Sequence, residues 1–235
     1  MRRGGLAPVL AIVGGAIVLV VALVVANQLG GHSNKPSASN IQIDSIDQML
    51  SGIPQKGIYL GNPKAKLTLV EFSDPQCPYC ADWARGVFPS LVQKYVRTGK
   101  LRVEYAGLAF LGDDSTSMLR LAQAAGLQNK LWNLVELEFE NQGTENSGYA
   151  TDAFLRGLVE AVPGLDAQKA LSVAKTNAVV TTINVARKLA ETKIGKQILT
   201  PTFLLGRTGS EKTEKIVGAE PLETFTKAID AQLKQ

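Results

Sequence analysis

The sequence predicts an α/β domain with a helical insertion, preceded by a single N-terminal transmembrane helix. Three observations carry that prediction. An uncharged apolar run fills Leu6 to Ala26. A strand–helix–strand pattern spans residues 66–105, with the only two cysteines of the chain at its first corner. A helical stretch from about Ser115 to Lys196 then separates this unit from strands that resume after Gly195.

The apolar run is about 21 residues long; at about 1.5 Å each it reaches roughly 31 Å, close to the ~30 Å hydrocarbon core of a bilayer. Arg2 and Arg3 precede it and favour a cytoplasmic N-terminus, which places everything after Asn27 outside. Residues 1–5 are then cytoplasmic, 6–26 a signal-anchor and 27–47 a linker. The domain proper occupies 48–235, with its insertion at about 110–196, on the outer face of the cell membrane. The alternative is a signal peptide cleaved near Ala26, for which the run is long against a usual apolar core of about 7–15 residues. Asn27 to Asn40 has the polar, Gly- and Ser-containing composition of a tether. His32, the single histidine, lies in this tether and is no candidate for catalysis or metal binding.

Composition narrows the function classes. Of the 235 residues, 45% are hydrophobic, enough for one core of ordinary size. Lys and Arg outnumber Asp and Glu by 25 to 21, but setting aside Arg2, Arg3 and Lys35 leaves 22 against 21. The domain is therefore nearly neutral, and no basic stripe interleaved with aromatics points to nucleic acid. Two cysteines are too few for a disulfide-stapled scaffold.

The elements follow in order. Ser45 to Leu50 reads as a short helix ending at Gly52, and Ile58-Tyr59-Leu60 as a short apolar piece between turns. Leu67-Thr68-Leu69-Val70-Glu71-Phe72 is a strand. The helix after the cysteines runs to Val96, with a kink expected at Pro89 and a stop at Gly99. Leu101 to Tyr105 alternates with period two, as a strand does. Successive apolar faces follow: Met118 to Ala125, Leu131 to Leu137, Phe154 to Val162, and at least one more within Leu171 to Leu189. Glu136, Glu138 and Glu140 read as a solvated helix edge, and Trp83 and Trp132 as packing residues. Thr202 to Leu205 and Lys215 to Gly218 form a hairpin, and Leu222, Phe225, Ala228, Ile229 and Leu233 share one face of a last helix.

Cys77-Pro78-Tyr79-Cys80 carries the chemistry. A Cys-x-x-Cys at a strand-to-helix corner has one dominant use, thiol–disulfide exchange. Pro78 suits the first helical position, which leaves Cys77 facing the unpaired first-turn amides. A depression of its pKa by about one unit is expected from the helix terminus alone. Cys80, a turn further in, lacks that help and stays a thiol until it resolves the mixed disulfide. Glu71, the one acid within the apolar strand, is the candidate to exchange a proton with Cys80, its own pKa raised by desolvation. A zinc site needs four ligands and a cluster site more thiolates still, so neither fits a lone pair. No organic or metal cofactor is required.

The acid–Phe-x-x-x-x-Cys-Pro-x-Cys order from Glu71, the helical insertion and the late Leu199-Thr200-Pro201-Thr202-Phe203 resemble the DsbA-type thiol–disulfide oxidoreductases of the thioredoxin-like fold, in their exported or membrane-anchored bacterial branch. The resemblance spans roughly residues 48–233. It implies a cis Thr200-Pro201 bond beside the cysteines, in a loop that presents backbone groups to a substrate chain. It also implies the partners: reduced or misoxidised exported polypeptides, and a membrane redox protein that resets the pair. Tyr79 is a departure, because the strongest oxidants of the family carry histidine there and tyrosine supplies no positive charge. The same site run in the opposite direction would be a reductase or isomerase. A non-catalytic polypeptide-binding module of the same fold is the remaining alternative.

Overall fold

The computed structural model describes residues 44–235. The apolar run 6–26, the tether with His32 and residues 1–5, expected to be cytoplasmic, fall outside the described residues. The packed fold begins within the segment read as linker. A helix α1 (Asp44–Leu50) places Ile46 and Leu50 in the core, and Asp47 accepts from the Asn133 amide at 2.9 Å.

Six strands form one sheet: β1 (Gln55–Lys56), β2 (Tyr59–Leu60), β3 (Leu67–Ser73), β4 (Leu101–Gly107), β5 (Thr202–Arg207) and β6 (Thr213–Val217), in the order β1-β2-β4-β3-β5-β6. β3 sits at the centre, parallel to β4 and antiparallel to β5. Its side chains are almost all buried on both faces, as a continuous apolar run predicts. Leu67, Leu69 and Glu71 point to one face and Val70 and Phe72 to the other. The first face belongs to the main core with Tyr105 and Phe203; the second is a smaller cluster of Phe72, Ala106, Leu108, Leu204 and Ala190. Glu71 therefore occupies a place in an apolar stripe, aimed at the centre of the larger core.

The parallel β3–β4 pair is joined by α2 (Pro78–Gly86), α3 (Phe88–Leu91) and a π-helical turn Val92–Val96. The expected kink is a break: α2 stops at Gly86 and α3 restarts with Pro89 in its first turn, where the missing N–H costs nothing. Trp83 of α2 packs against Phe203 of β5 at 4.5 Å between ring centroids and against Phe88 at 5.3 Å. At about 0.5–1.5 kcal/mol per aromatic pair beyond the area buried, these contacts clamp the cysteine-bearing helix onto the sheet.

The insertion comprises α4 (Asp113–Gly126), α5 (Leu131–Glu140), α6 (Asp152–Ala161), α7 (Ala167–Val173) and α8 (Asn177–Lys193). Side chains of Thr151 and Asp166 cap α6 and α7. α9 (Leu222–Leu233) closes the fold with Phe225 and Ile229 inward. One expectation fails in α5. Glu136 and Glu138 are buried at 6% and 1% exposure, and only Glu140 reaches solvent. At 100° per residue, i and i+2 lie on opposite sides of a helix, so this spacing never defined one edge. α5 also has α1, α2, α4 and α6 around it, which covers every side.

Candidate active site

β3 ends at Ser73, and the chain turns through Asp74-Pro75-Gln76 into α2. The Cys77 N–H donates to the Asp74 carbonyl at 3.0 Å, which closes the turn. Cys77 is the N-cap of α2 (φ −68, ψ 118), with Pro78 as the first helical residue and no side-chain oxygen satisfying the first amides. A sulfur at a cap position leaves the Tyr79 N–H free to stabilise a thiolate, while the Cys80 N–H also donates to the Cys77 carbonyl at 3.1 Å.

The two thiols are free and differ sharply. The Cys77 pKa is lowered to about 6, with a hydrogen bond from the Cys80 thiol the largest cause; the Thr200 hydroxyl and the backbone amides of Cys80 and Tyr79 add to it, and burial opposes it. The helix terminus is thus one contributor, and the partner thiol, to which sequence reasoning assigned no part, is the larger. Cys80 is wholly buried and its pKa is pushed well up, by desolvation first and then by its hydrogen bond and the charge of Cys77. Tyr79 between them is 65% exposed and presents its ring to solvent.

Thr200 and Pro201 arrive on the loop entering β5, whose first residue Thr202 pairs with Phe72 at the end of β3, beside the turn. Their peptide bond is cis. The Cys77 thiol donates to the Thr200 carbonyl at 3.3 Å, so this loop lies directly against the outer sulfur. Pro201 is buried and its carbonyl accepts from the Gly218 N–H at 2.8 Å, tying the loop to the end of β6.

Glu71 is 1% exposed, and neither of its carboxylate oxygens has a hydrogen-bond partner. Desolvation lifts its pKa to about 8, and the Ser73 hydroxyl, near it but outside hydrogen-bonding geometry, offsets only part of that. The carboxyl is therefore neutral in neutral solution and holds a proton it can give. Its strand neighbours in register are Tyr105 and Phe203. Cys80 belongs, with Tyr105 and Phe203, to the main core that Glu71 faces.

Several side chains holding this corner carried no role in the sequence reading. Asp74 is fully buried. Its carboxylate accepts from the Gln76 N–H (2.9 Å), the Ser115 hydroxyl (2.5 Å) and the Phe110 and Leu111 N–H groups (2.9 and 3.2 Å). Burial still leaves its pKa raised. The Gln76 amide donates to the Leu111 carbonyl at 2.7 Å and accepts from the Asn146 N–H at 2.7 Å. The Gln142 amide donates to the carbonyls of Pro75 (2.7 Å) and Cys77 (3.1 Å). The insertion is thus bolted to the turn through α4 and the loop after α5. Asp74 and Gln76 stand inside the cysteine motif and were within reach of inspection; Ser115, Gln142 and Asn146 are 38 to 69 residues away from Cys77 in sequence and bear no local signal. Among the described residues no group of three or more His, Cys, Asp or Glu side chains is arranged to hold a metal ion.

Comparison with known proteins agrees with this architecture. The family model described as Thioredoxin matches residues 54–231. "Probable disulfide bond formation protein D" of Bacillus cereus is 28% identical over 136 residues, covering 57% of this chain and 62% of that protein. Disulfide bond formation protein D of Bacillus subtilis is 27% identical over 107 residues, covering 43% and 46%. The chain thus spans less than two thirds of the length of these curated relatives. Among solved structures, oxidised BdbD from Bacillus subtilis superposes with a TM-score of 0.67 at 18% identity, over 78% of this chain and 98% of that one. Wolbachia pipientis alpha-DsbA1 gives 0.65 at 22% identity, over 79% and 92%. The family model covers most of the chain and the superpositions show the fold, so the chain belongs to the thioredoxin family and has the fold of the solved DsbA-type structures.

Proposed function

We propose that this chain is an extracytoplasmic thiol–disulfide oxidoreductase that forms disulfides in exported polypeptides through Cys77 and Cys80. The observation that carries the reading is the asymmetry of the pair: a sulfur at a helix cap ionising near pH 6, and three residues on a buried sulfur that resists ionisation. An outer sulfur of that kind is a good leaving group and an inner one a proton-dependent partner.

A substrate thiolate attacks the Cys77 sulfur of the oxidised pair, the Cys77–Cys80 bond breaks, and its electron pair leaves on Cys80. Glu71 gives its proton to Cys80, so no bare thiolate is left in the interior. A second substrate thiolate attacks the substrate sulfur of the mixed disulfide and Cys77 departs as the stabilised thiolate. The substrate has lost two electrons and the pair has gained two. A redox protein of the membrane takes them up and restores the disulfide. Thr200 lies against Cys77 and offers backbone groups to an extended chain. Tyr79, Leu199 and Phe110 are exposed large apolar side chains that border the turn and this loop, a surface suited to unfolded polypeptide. The uncharged run 6–26 behind Arg2 and Arg3 supports anchoring in the cell membrane with this domain outside.

The test is a Cys80→Ser chain expressed with its N-terminal segment. Mixed disulfides through Cys77 to exported proteins are expected to accumulate and to vanish on reduction. An absence of trapped partners, with no redox cycling of the wild-type pair, refutes the reading. The equilibrium against glutathione then sets the direction, on a scale running from about −270 mV for a reductant to about −120 mV for a strong oxidant.

A further inference from the structure

The exchange chemistry engages only the substrate's sulfur and the backbone beside it. A groove of about 530 Å³ opens next to that site, between α4, α8 and the loops that follow β4 and α8. Its size falls within the roughly 300–1,000 Å³ of ligand clefts. Two of its lining residues, Leu108 and Ile198, also pack in the smaller apolar cluster with Phe72. The groove therefore lies on the sheet face that α2 does not cover. Both of its walls start at the cysteine corner. On one side the Leu108 N–H donates to the Ser73 carbonyl at 2.8 Å, and the Phe110 N–H to the Asp74 carboxylate at 2.9 Å. On the other side Ile198 stands two residues before Thr200, whose carbonyl accepts from the Cys77 thiol at 3.3 Å.

The lining combines an apolar strip with cations. Leu108, Phe110, Val180, Ile183 and Ile198 form the strip. Phe110 is 49% exposed although Asp74 fixes its backbone, so its ring is held half in water rather than left there by a loose loop. An apolar surface kept open in this way marks a place for another molecule. The charged lining residues are Arg120, Arg187, Lys196 and Glu191. Arg187 and Glu191 hold each other at 3.2 Å. Arg120 and Lys196 have no carboxylate partner among the described residues, and they leave the groove positive. Two unpartnered cations around an apolar strip complement a chain that carries an apolar residue next to an acid.

We propose that this groove holds the part of a substrate polypeptide flanking the cysteine bonded to Cys77, and that Arg120 and Lys196 select segments pairing an apolar residue with Asp or Glu. The inference rests on the exchange reading of the Cys pair. Ile198 is at most about 7 Å along the chain from Thr200, the span of about two extended residues. A substrate cysteine at Cys77 therefore brings residues about two to four positions away over the strip. Their apolar side chain covers Ile183, Ile198 and the Phe110 ring, and the neighbouring carboxylate meets Arg120 or Lys196. The helical insertion supplies α4 and α8 to this groove, and so it contributes selectivity as well as shape.

The test is single-turnover reduction of the oxidised chain by synthetic dithiol peptides. They carry Leu-Asp, Leu-Lys, Gly-Asp or Gly-Lys two to four residues from the reacting cysteine, on either side. The Leu-Asp peptide is expected to react about five- to tenfold faster than Leu-Lys at low salt, and less than about twofold faster at ~1 M salt. Replacing Leu by Gly is expected to cost about tenfold. In the Arg120→Glu, Lys196→Glu double variant the preference should reverse towards Leu-Lys. The ratio of two peptide rates within one variant is independent of any change in the Cys pair itself, and a merely structural role would not invert it. Equal rates for the Asp and Lys peptides, or an unchanged preference in the double variant, overturn the inference. Should the double variant fail to fold, Lys196→Glu alone, at an exposed position, is expected to lower the preference at least about twofold, and no change overturns the inference. Location is read by a photoreactive residue placed at the Leu position of a peptide trapped on Cys80→Ser. Labelling within residues 108–120 and 180–198 is expected; labelling elsewhere overturns the inference. Where the wild-type pair reacts with neither dithiothreitol nor any peptide, the exchange reading falls instead.

Discussion

Replacing Glu71 by Gln removes an ionisable group from the centre of the core while keeping its shape. Burial lifts the carboxyl from about 4.5 to about 8 in the fold. Below pH ~4.5 the proton is held in both folded and unfolded chains, and the group has no effect on the slope of stability with pH. Between ~4.5 and ~8 the folded chain keeps the proton that the unfolded chain has lost, so stability falls as pH rises. Above ~8 the loss is complete. The gap of about 3.5 pH units at about 1.36 kcal/mol each corresponds to roughly 5 kcal/mol, of which roughly 3 kcal/mol has accrued at pH 7. That is a large share of a typical stability of about 5–15 kcal/mol. Urea denaturation of the reduced wild type and Glu71→Gln at pH 5, 6, 7, 8 and 9 measures it. The amide is itself unpaired, which shifts the Gln curve by an amount that does not vary with pH. Titration of the other buried groups is common to both chains. The difference between the two curves is therefore the signal, and it should move in favour of Gln by about 1.4 kcal/mol per pH unit from pH 5 to 8, then level off. Parallel curves refute the buried, uncompensated carboxyl on which the proposed chemistry depends.

Two further outcomes follow from the same geometry. Alkylation of the reduced chain by iodoacetamide should proceed at Cys77 with a half-maximal rate near pH 6, and Cys80 should stay unmodified in the folded state to beyond pH 9. Gln142→Ala removes the donor shared by the Pro75 and Cys77 carbonyls; a loss of about 1–3 kcal/mol in denaturation is expected, with faster backbone hydrogen exchange across residues 74–77.

Much of the fold was readable because its signals are local. Leu67 to Phe72 is an apolar run bounded by turn residues, and Leu101 to Tyr105 alternates; each specifies a strand without reference to the rest of the chain. Pro89 marked the place where α2 breaks, since a proline acts on its own preceding turn. The insertion was legible as helices but not in its burial. Glu136 and Glu138 looked like surface residues because charge predicts exposure, and nothing local says that four helices surround α5. The hydrogen bonds of Asp74 with Ser115, and of Gln142 with Pro75 and Cys77, join residues that only folding brings together.

The sequence by itself determined the reactive pair, its position at a helix start, the acid six residues before it and the proline loop far downstream, because each is a matter of residue type and spacing. The tertiary structure alone decided the protonation behaviour of those groups. Cys77 owes its acidity chiefly to a hydrogen bond from Cys80 in the folded first turn, against the Thr200 loop brought in by the neighbouring strand β5. Desolvation by strands and helices distant in the chain raises the pKa of both Glu71 and Glu138. The cost of burying a charge is set by everything around the group, and the surroundings of a residue are the one thing its sequence neighbours do not state.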